Sequence, residues 1–315
     1  MTAAATKAWG DILEFPQADR TQKVRDRGLT MVIDKGVGLT DTRDLLELAA
    51  DYVDQWKLTF GTSAFYSTRL LRQKIELIKS YGVRVFPGGT FLEVALLQGR
   101  LVQFLDRARD LGFTGIEISD GTINLDGKTR CNTIKLARAY GFELVVSEVG
   151  KKDPRDKASG VCLWEQVNQD LDAGSDVVIV EGRESGEGVV IYDDRGNVLE
   201  EELETLVEHV REPSRVLWEA PKKSQQQELI VRFGPNVNLG NIEPHDVLAL
   251  EALRVGLRGD TLRQYYLSLA QWLQPVTVPS RRAVHQMPGT ATDRETNRSA
   301  RPTDRTGGDP IDAVD

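Results

Sequence analysis

Eight short apolar runs along this chain each stop abruptly in a polar or glycine-rich cluster. LTMVI ends in DKG, WKLTF in GTS, VRVF in PGGT, IEI in SDG, LVVS in EVGKK, VVIV in EGRESG, VLW in EAPKKSQ and VNL in GN. Helix-length stretches separate the runs, so each reads as a strand followed by a helix, and strands alternating with helices imply parallel βαβ units. Eight such units close into a (β/α)8 TIM barrel, whose catalytic groups sit at the C-terminal ends of the strands. Function is therefore to be read from those eight clusters.

The spacing predicts strands at 29–33, 53–60, 83–86, 115–119, 143–148, 176–181, 215–219 and 237–241. The third helix is expected as one piece over 91–111 and the eighth over 245–257. Gly82, Gly112, Gly141 and Gly174 fall where helices should stop, as left-handed C-terminal caps require. The expected organisation is an N-terminal extension (1–23), one catalytic barrel domain (24–278) and a disordered tail (279–315). The tail sequence from Pro279 has almost no large apolar residues, and such a segment cannot offset its ordering entropy. Its arginines and acidic residues balance, which leaves the formal charge of −8 with the folded body and gives no basic footprint for nucleic acid.

The two cysteines, Cys131 and Cys162, have no metal-ligand spacing and read as reduced thiols. The opening MTAAATKAWGDILEF lacks an apolar core of signal-peptide length, and no later run approaches a membrane span. The expectation is a cytoplasmic protein without membrane or nucleic-acid partners.

Histidine is the usual acid–base residue, but His209 and His245 fall on helices and His285 in the tail. Carboxylates and lysines must then carry the chemistry. Residues two apart share a face of a strand, which aligns Glu148 with Lys152 and Glu181 with Arg183, and puts Glu117, Glu148 and Glu181 at the ends of successive strands. Three such oxygen ligands suit Mg2+, whereas paired structural ions are the bland alternative for each. Lys57 lies within a strand, so it must meet a carboxylate or an anionic ligand, with Asp34 the partner in a purely structural pair. The loop EGRESG brings Arg183 and Ser185 with backbone amides able to hold an anion. APKKSQQ and LGN follow the seventh and eighth strands, where barrels commonly bind phosphate.

These phrases carry a resemblance. RGLTMVIDKG (27–36), FGTSAFY (60–66), PGGTFLE (87–93), EISDG (117–121), SEVGKK (147–152), DLDAGSDVVIVEGRESG (170–186), EAPKKSQQ (219–226) and LRVGLRGDT (253–261) resemble phosphosulfolactate synthases. The resemblance spans about 24–262, in order and at barrel spacing. It implies a (β/α)8 barrel that adds sulfite to phosphoenolpyruvate with Mg2+, giving (R)-2-phospho-3-sulfolactate, and it implies a homo-oligomer. On that reaction Lys152 is the expected acid delivering a proton to C2, with its pKa lowered by surrounding cations, and Lys151 is the alternative acid. Asp34 and Glu219 fall among the expected substrate-site residues. Lys35, Lys57 and Arg183 would hold sulfite and carboxylate, and Ser224, Gln225 and Asn241 would lie near phosphate. Two other readings stand beside it, a barrel lyase using a lysine Schiff base and a non-enzymatic protective barrel like the plant heat-stress-associated proteins.

Overall fold

The computed structural model describes residues 7–152 and 162–269. The expected disordered tail lies outside the described residues. Eight strands alternate with helices: β1 (Thr30–Asp34), α1 (Leu39–Ala49), β2 (Gln55–Leu58), α2 (Thr68–Ser80), β3 (Arg84–Pro87), α3 (Gly89–Leu97), α4 (Leu101–Leu111), β4 (Gly115–Ile118), α5 (Gly127–Ala139) and β5 (Leu144–Val149). The chain continues through α6 (Leu163–Ala173), β6 (Val177–Val180), α7 (Glu200–His209), β7 (Val216–Glu219), α8 (Lys223–Phe233), β8 (Asn238–Ile242), α9 (Val247–Arg254) and α10 (Gly259–Leu269). All the pairings are parallel, in the order β3-β2-β1-β8-β7-β6-β5-β4. The strands β3 and β4 meet across Thr114. Its N–H donates to the Val85 carbonyl at 3.1 Å, and its hydroxyl accepts from the Val85 N–H at 2.8 Å. The result is the nearly closed (β/α)8 barrel that the sequence pattern implies.

Local signals explain the helix limits. Ser67 caps α2 by accepting from the Leu70 N–H at 3.3 Å, and the apolar stripe Leu71, Ile75 and Ile78 is buried against the sheet. The four expected stop glycines all have positive φ, between 68° and 115°. The stretch expected as one helix over 91–111 is instead two, because Gly99 takes φ 64° between α3 and α4 and breaks the ladder. The expected eighth helix is shorter, and α10 follows it.

The expected N-terminal extension is tied to the barrel well before residue 24. Arg20 pairs with Glu251 at 2.9 Å, and the Lys23 ammonium donates to the carbonyls of Ala50, Val53 and Tyr81. Arg25 then forms a buried pair with Asp54 at 3.0 Å.

The core is divided by the sheet. One cluster, including Leu29, Met31, Phe86, Val146, Ile179 and Leu217, fills the barrel, while a larger one packs the outer strand faces against the helices. Following the inner face two residues further along four of the strands replaces uncharged side chains by ionisable ones. Val146 leads to Glu148, Ile179 to Glu181, Leu217 to Glu219 and Gln55 to Lys57. That switch places a charged layer at the C-terminal mouth, directly above the apolar plug.

Candidate active site

Lys57 occupies the centre of that layer. Its ammonium lies 2.9 Å from Glu117, 3.0 Å from Glu148 and 3.2 Å from Glu219, and all four side chains are nearly inaccessible to solvent. Burial alone would depress the lysine pKa, but the three carboxylates outweigh it and hold Lys57 well above its ordinary value. The alternative of a structural pair with Asp34 is overturned, because Asp34 leaves β1 on the opposite face. Its carboxylate accepts from the Trp56 indole at 2.8 Å and from the N–H groups of Gly36 and Val37, and it pairs with Lys74. Asp34 thus fixes the first strand-to-helix turn.

The second lysine is Lys152, 2.8 Å from Glu148 and 3.2 Å from Glu181. The alignment expected from an extended strand is reached by another route. The strand ends at Val149, Gly150 takes φ 113°, and the Lys152 N–H docks on the Gly121 carbonyl at 3.0 Å. Lys151 points away and spends its ammonium on the carbonyls of Asp120 and Ile123. Burial lowers the Lys152 pKa, yet Glu148 and Glu181 more than reverse this and raise it above the ordinary lysine range. The expectation of a pKa brought down by neighbouring cations is therefore corrected: carboxylates dominate its surroundings.

The carboxylates divide in character. Burial pushes Glu117 up to about 8, whereas Lys152 and Lys57 overcome the burial of Glu148 and hold it well below the usual range. Glu181 and Glu219 are raised, first by burial and then by neighbouring carboxylates, Lys57 pulling against this in Glu219. The oxygens of Glu148, Glu181 and Glu219 lie within 4.8 Å of one another, while Glu117 faces Lys57. Glu117 Oε1 and Glu181 Oε2 meet only their lysines, as ion pairs, and Glu117 Oε2 has no hydrogen-bond partner among the described residues.

These groups floor a cavity of about 260 Å³, walled by Thr59, Phe60, Gly88, Gly89 and Thr90 on one side and by Arg183, Glu184 and Asn241 on the other. Of the residues expected at the site, Lys57, Glu117, Glu148, Lys152, Glu181, Arg183, Glu219 and Asn241 line this cavity. Asp34, Lys35, Lys151, Ser185, Ser224 and Gln225 are not among its lining. Lys35 pairs with Glu243 at the surface, and Ser185 and Ser224 are exposed. Gln225 donates to the carbonyls of Gly186 and Gly196, so it ties the loop after β6 over the start of α8. A wider cleft of about 830 Å³ lies among Arg25, Arg27, Asp176 and Arg215 at the strands' opposite ends, away from the charged layer.

Two supporting groups escaped the sequence reading. Glu93, buried on α3, accepts from the N–H groups of Thr122 and Ile123, and the Ser119 hydroxyl lies between it and Glu148, at 2.8 and 3.0 Å, with its one proton to donate to either carboxylate. The available signal was a lone carboxylate inside the apolar stretch FLEVALL. Arg130, also buried, pairs with Asp170 and Asp120 and donates to the Glu148 carbonyl at 2.8 Å.

The profile of the (2R)-phospho-3-sulfolactate synthase (ComA) family matches residues 18–260, which include every residue of the cavity. The chain belongs to the phosphosulfolactate synthase family. Phosphosulfolactate synthase of Methanothermobacter thermautotrophicus is 44% identical over 254 residues, 79% of this chain and 96% of the relative. Phosphosulfolactate synthase of Bacillus subtilis is 38% identical over 251 residues, 79% of this chain and 97% of the relative. Protein HEAT-STRESS-ASSOCIATED 32 of Arabidopsis thaliana is 22% identical over 265 residues, 75% of this chain and 88% of that protein. Membership in the phosphosulfolactate synthase family makes this barrel an enzyme.

Proposed function

We propose that this enzyme is a carbon–sulfur lyase that joins sulfite to phosphoenolpyruvate, forming (R)-2-phospho-3-sulfolactate. The observation carrying this reading is the convergence of two lysines and four carboxylates on one small cavity at the strand ends of a chain from that family. The sulfur lone pair of sulfite attacks the methylene carbon, forming the C–S bond, and the C=C electrons move onto C2 and the carboxylate. C2 then takes a proton, and the phosphate ester stays intact.

Lys152 delivers that proton from its ammonium at the cavity floor, and solvent reprotonates it. Lys57 neutralises the carboxylate layer from below, which lets a polyanionic substrate approach. Arg183 at the rim recognises an oxyanion through its guanidinium fork. Glu148, Glu181 and Glu219 would hold Mg2+, because a hard all-oxygen donor set converging within 4.8 Å fits that ion. When bound, the ion supplies Lewis-acid stabilisation of the negative charge that develops on the substrate.

The Schiff-base alternative is disfavoured by the same geometry, since Lys57 and Lys152 are each held as ammonium ions by at least two carboxylates. A cytoplasmic homo-oligomer acting on small anions completes the reading. Among the described residues no helix is long and apolar enough to cross a membrane. The test is incubation of purified protein with phosphoenolpyruvate, sulfite and Mg2+. Mass spectrometry should find phosphosulfolactate, and its absence with folded protein would discard the assignment.

A further inference from the structure

Three non-glycine residues of the cavity wall, Phe60, Arg183 and Asn241, take the left-handed backbone region, and the last two stand side by side. Arg183, after β6, has φ 57°, and Asn241, near the end of β8, has φ 54°. That conformation costs free energy for any residue with a Cβ and persists where surrounding contacts impose it. Here the contacts are specific. The Arg183 N–H donates to Glu181 Oε1 at 2.7 Å, and the Arg183 carbonyl accepts from Asn241 Nδ2 at 3.1 Å. Both polar groups around this residue are thus held by side chains of the cavity itself. The preceding Gly182 donates to Glu219 Oε2 at 3.0 Å and packs so closely that a Cβ there would lie 2.5 Å from the Glu219 carbonyl.

The guanidinium held by this frame differs from the other cations of the cavity. Lys57 and Lys152 are committed to the carboxylates, whereas Arg183 forms no ion pair among the described residues and remains exposed at the rim. Asn241, by contrast, is buried, and one N–H of its Nδ2 is given to the Arg183 carbonyl.

We propose that Asn241 is a positioning residue: its amide fixes the left-handed Arg183 so that the guanidinium is presented to an oxyanion of the substrate. The inference rests on the phosphosulfolactate synthase reading. Loss of the amide lets the loop after β6 leave its strained conformation, and substrate affinity falls because the guanidinium is no longer preorganised.

A double-mutant cycle tests it. Asn241→Gly keeps a residue at ease with positive φ while removing the amide, and Arg183→Asn removes the guanidinium at a position where asparagine tolerates positive φ. Asn241→Gly should raise KM for phosphoenolpyruvate or for sulfite about fivefold with kcat nearly kept, as loss of one hydrogen bond implies. Whichever KM rises identifies the oxyanion that Arg183 receives. In the Arg183→Asn background the same change should add nothing to KM. Asn241→Asp, which keeps the oxygen acceptor and tolerance of positive φ but loses the N–H donor and adds a negative charge, should raise KM at least as much as the glycine variant. Equal KM effects of Asn241→Gly in both backgrounds, or parental KM in Asn241→Asp, would overturn the proposal. A parent protein without turnover would instead remove the functional reading beneath it.

Discussion

Replacing Lys57 by methionine removes one buried positive charge from among three carboxylates at 2.9, 3.0 and 3.2 Å while nearly conserving side-chain volume. Coulomb attraction at that range is about 5 kcal/mol per pair at an effective dielectric constant of 20, too large to be left uncompensated. Glu117 already holds a proton below about pH 8, so the folded variant takes up a further proton on Glu148 or Glu219 to restore the charge. Protonating a carboxylate of ordinary pKa 4.5 at pH 7 costs about 3.4 kcal/mol, at about 1.36 kcal/mol per pH unit. This agrees with the roughly 3–5 kcal/mol for breaking a buried ion pair. The sign follows from linkage. The variant's carboxylate has a folded pKa above its unfolded value, so the folded state binds the extra proton and stability is lost as pH rises above the unfolded pKa. Relative to the parent, Lys57→Met should be less stable by about 2 kcal/mol at pH 6, 3.4 at pH 7 and 5 at pH 8. Urea denaturation of both proteins at the three pH values, without divalent metal, measures this. A difference that does not change with pH would refute the proton uptake, and parental stability at pH 8 would refute the role of Lys57 as counter-ion.

Three further outcomes are expected. Lys151→Met should act on stability, lowering the melting temperature by a few degrees and changing kcat less than about tenfold, because its ammonium braces the loop after β4; thermal melts and steady-state kinetics decide this, and a collapse of kcat with intact folding would make it an acid. Glu117, pushed up to about 8 by burial, holds a proton in the folded state that the unfolded chain has lost above pH 4.5. Its contribution to stability should decline from pH 5 through 8, so Glu117→Gln should flatten the pH dependence of the urea midpoint, and a steeper dependence would contradict the burial argument. Chelation should abolish turnover and Mg2+ restore it, with Glu219→Gln demanding at least about tenfold more Mg2+ for half-maximal rate; full activity in excess chelator would take the metal out of the mechanism.

The barrel was legible because each strand and its terminal cluster leave a local record in the sequence, and alternation along β5 and β6 puts Glu148 and Glu181 on one face as expected; the third carboxylate within 4.8 Å of them is Glu219, expected only among the substrate-site residues, while Glu117 of the expected metal set faces Lys57. Alternation also contains the reason Asp34 is absent from the cavity: Met31 belongs to the inner core cluster, so the third residue after it faces outward. What the chain does after a strand ends is less readable. Lys152 reaches Glu148 through a turn at Gly150 and a contact with Gly121, a nonlocal geometry that strand periodicity does not encode. Ser224 and Gln225 sit where many barrels hold phosphate, yet the loop after β6 folds over that helix start and engages Gln225. The direction of the Lys152 pKa shift is unreadable from the sequence for a related reason, since it depends on which charges of a crowded layer lie nearest.

The most direct test of the account compares the protein with its Lys152→Met variant in the sulfite addition, run in D2O with product analysed for deuterium at C2. If the ammonium on the carboxylate floor supplies the C2 proton, the parent places one deuterium at C2 and the variant loses about a hundred- to ten-thousandfold in kcat while still binding phosphoenolpyruvate. A variant that folds, binds and turns over at the parental rate would show that the proton comes from elsewhere and contradict the assignment of Lys152.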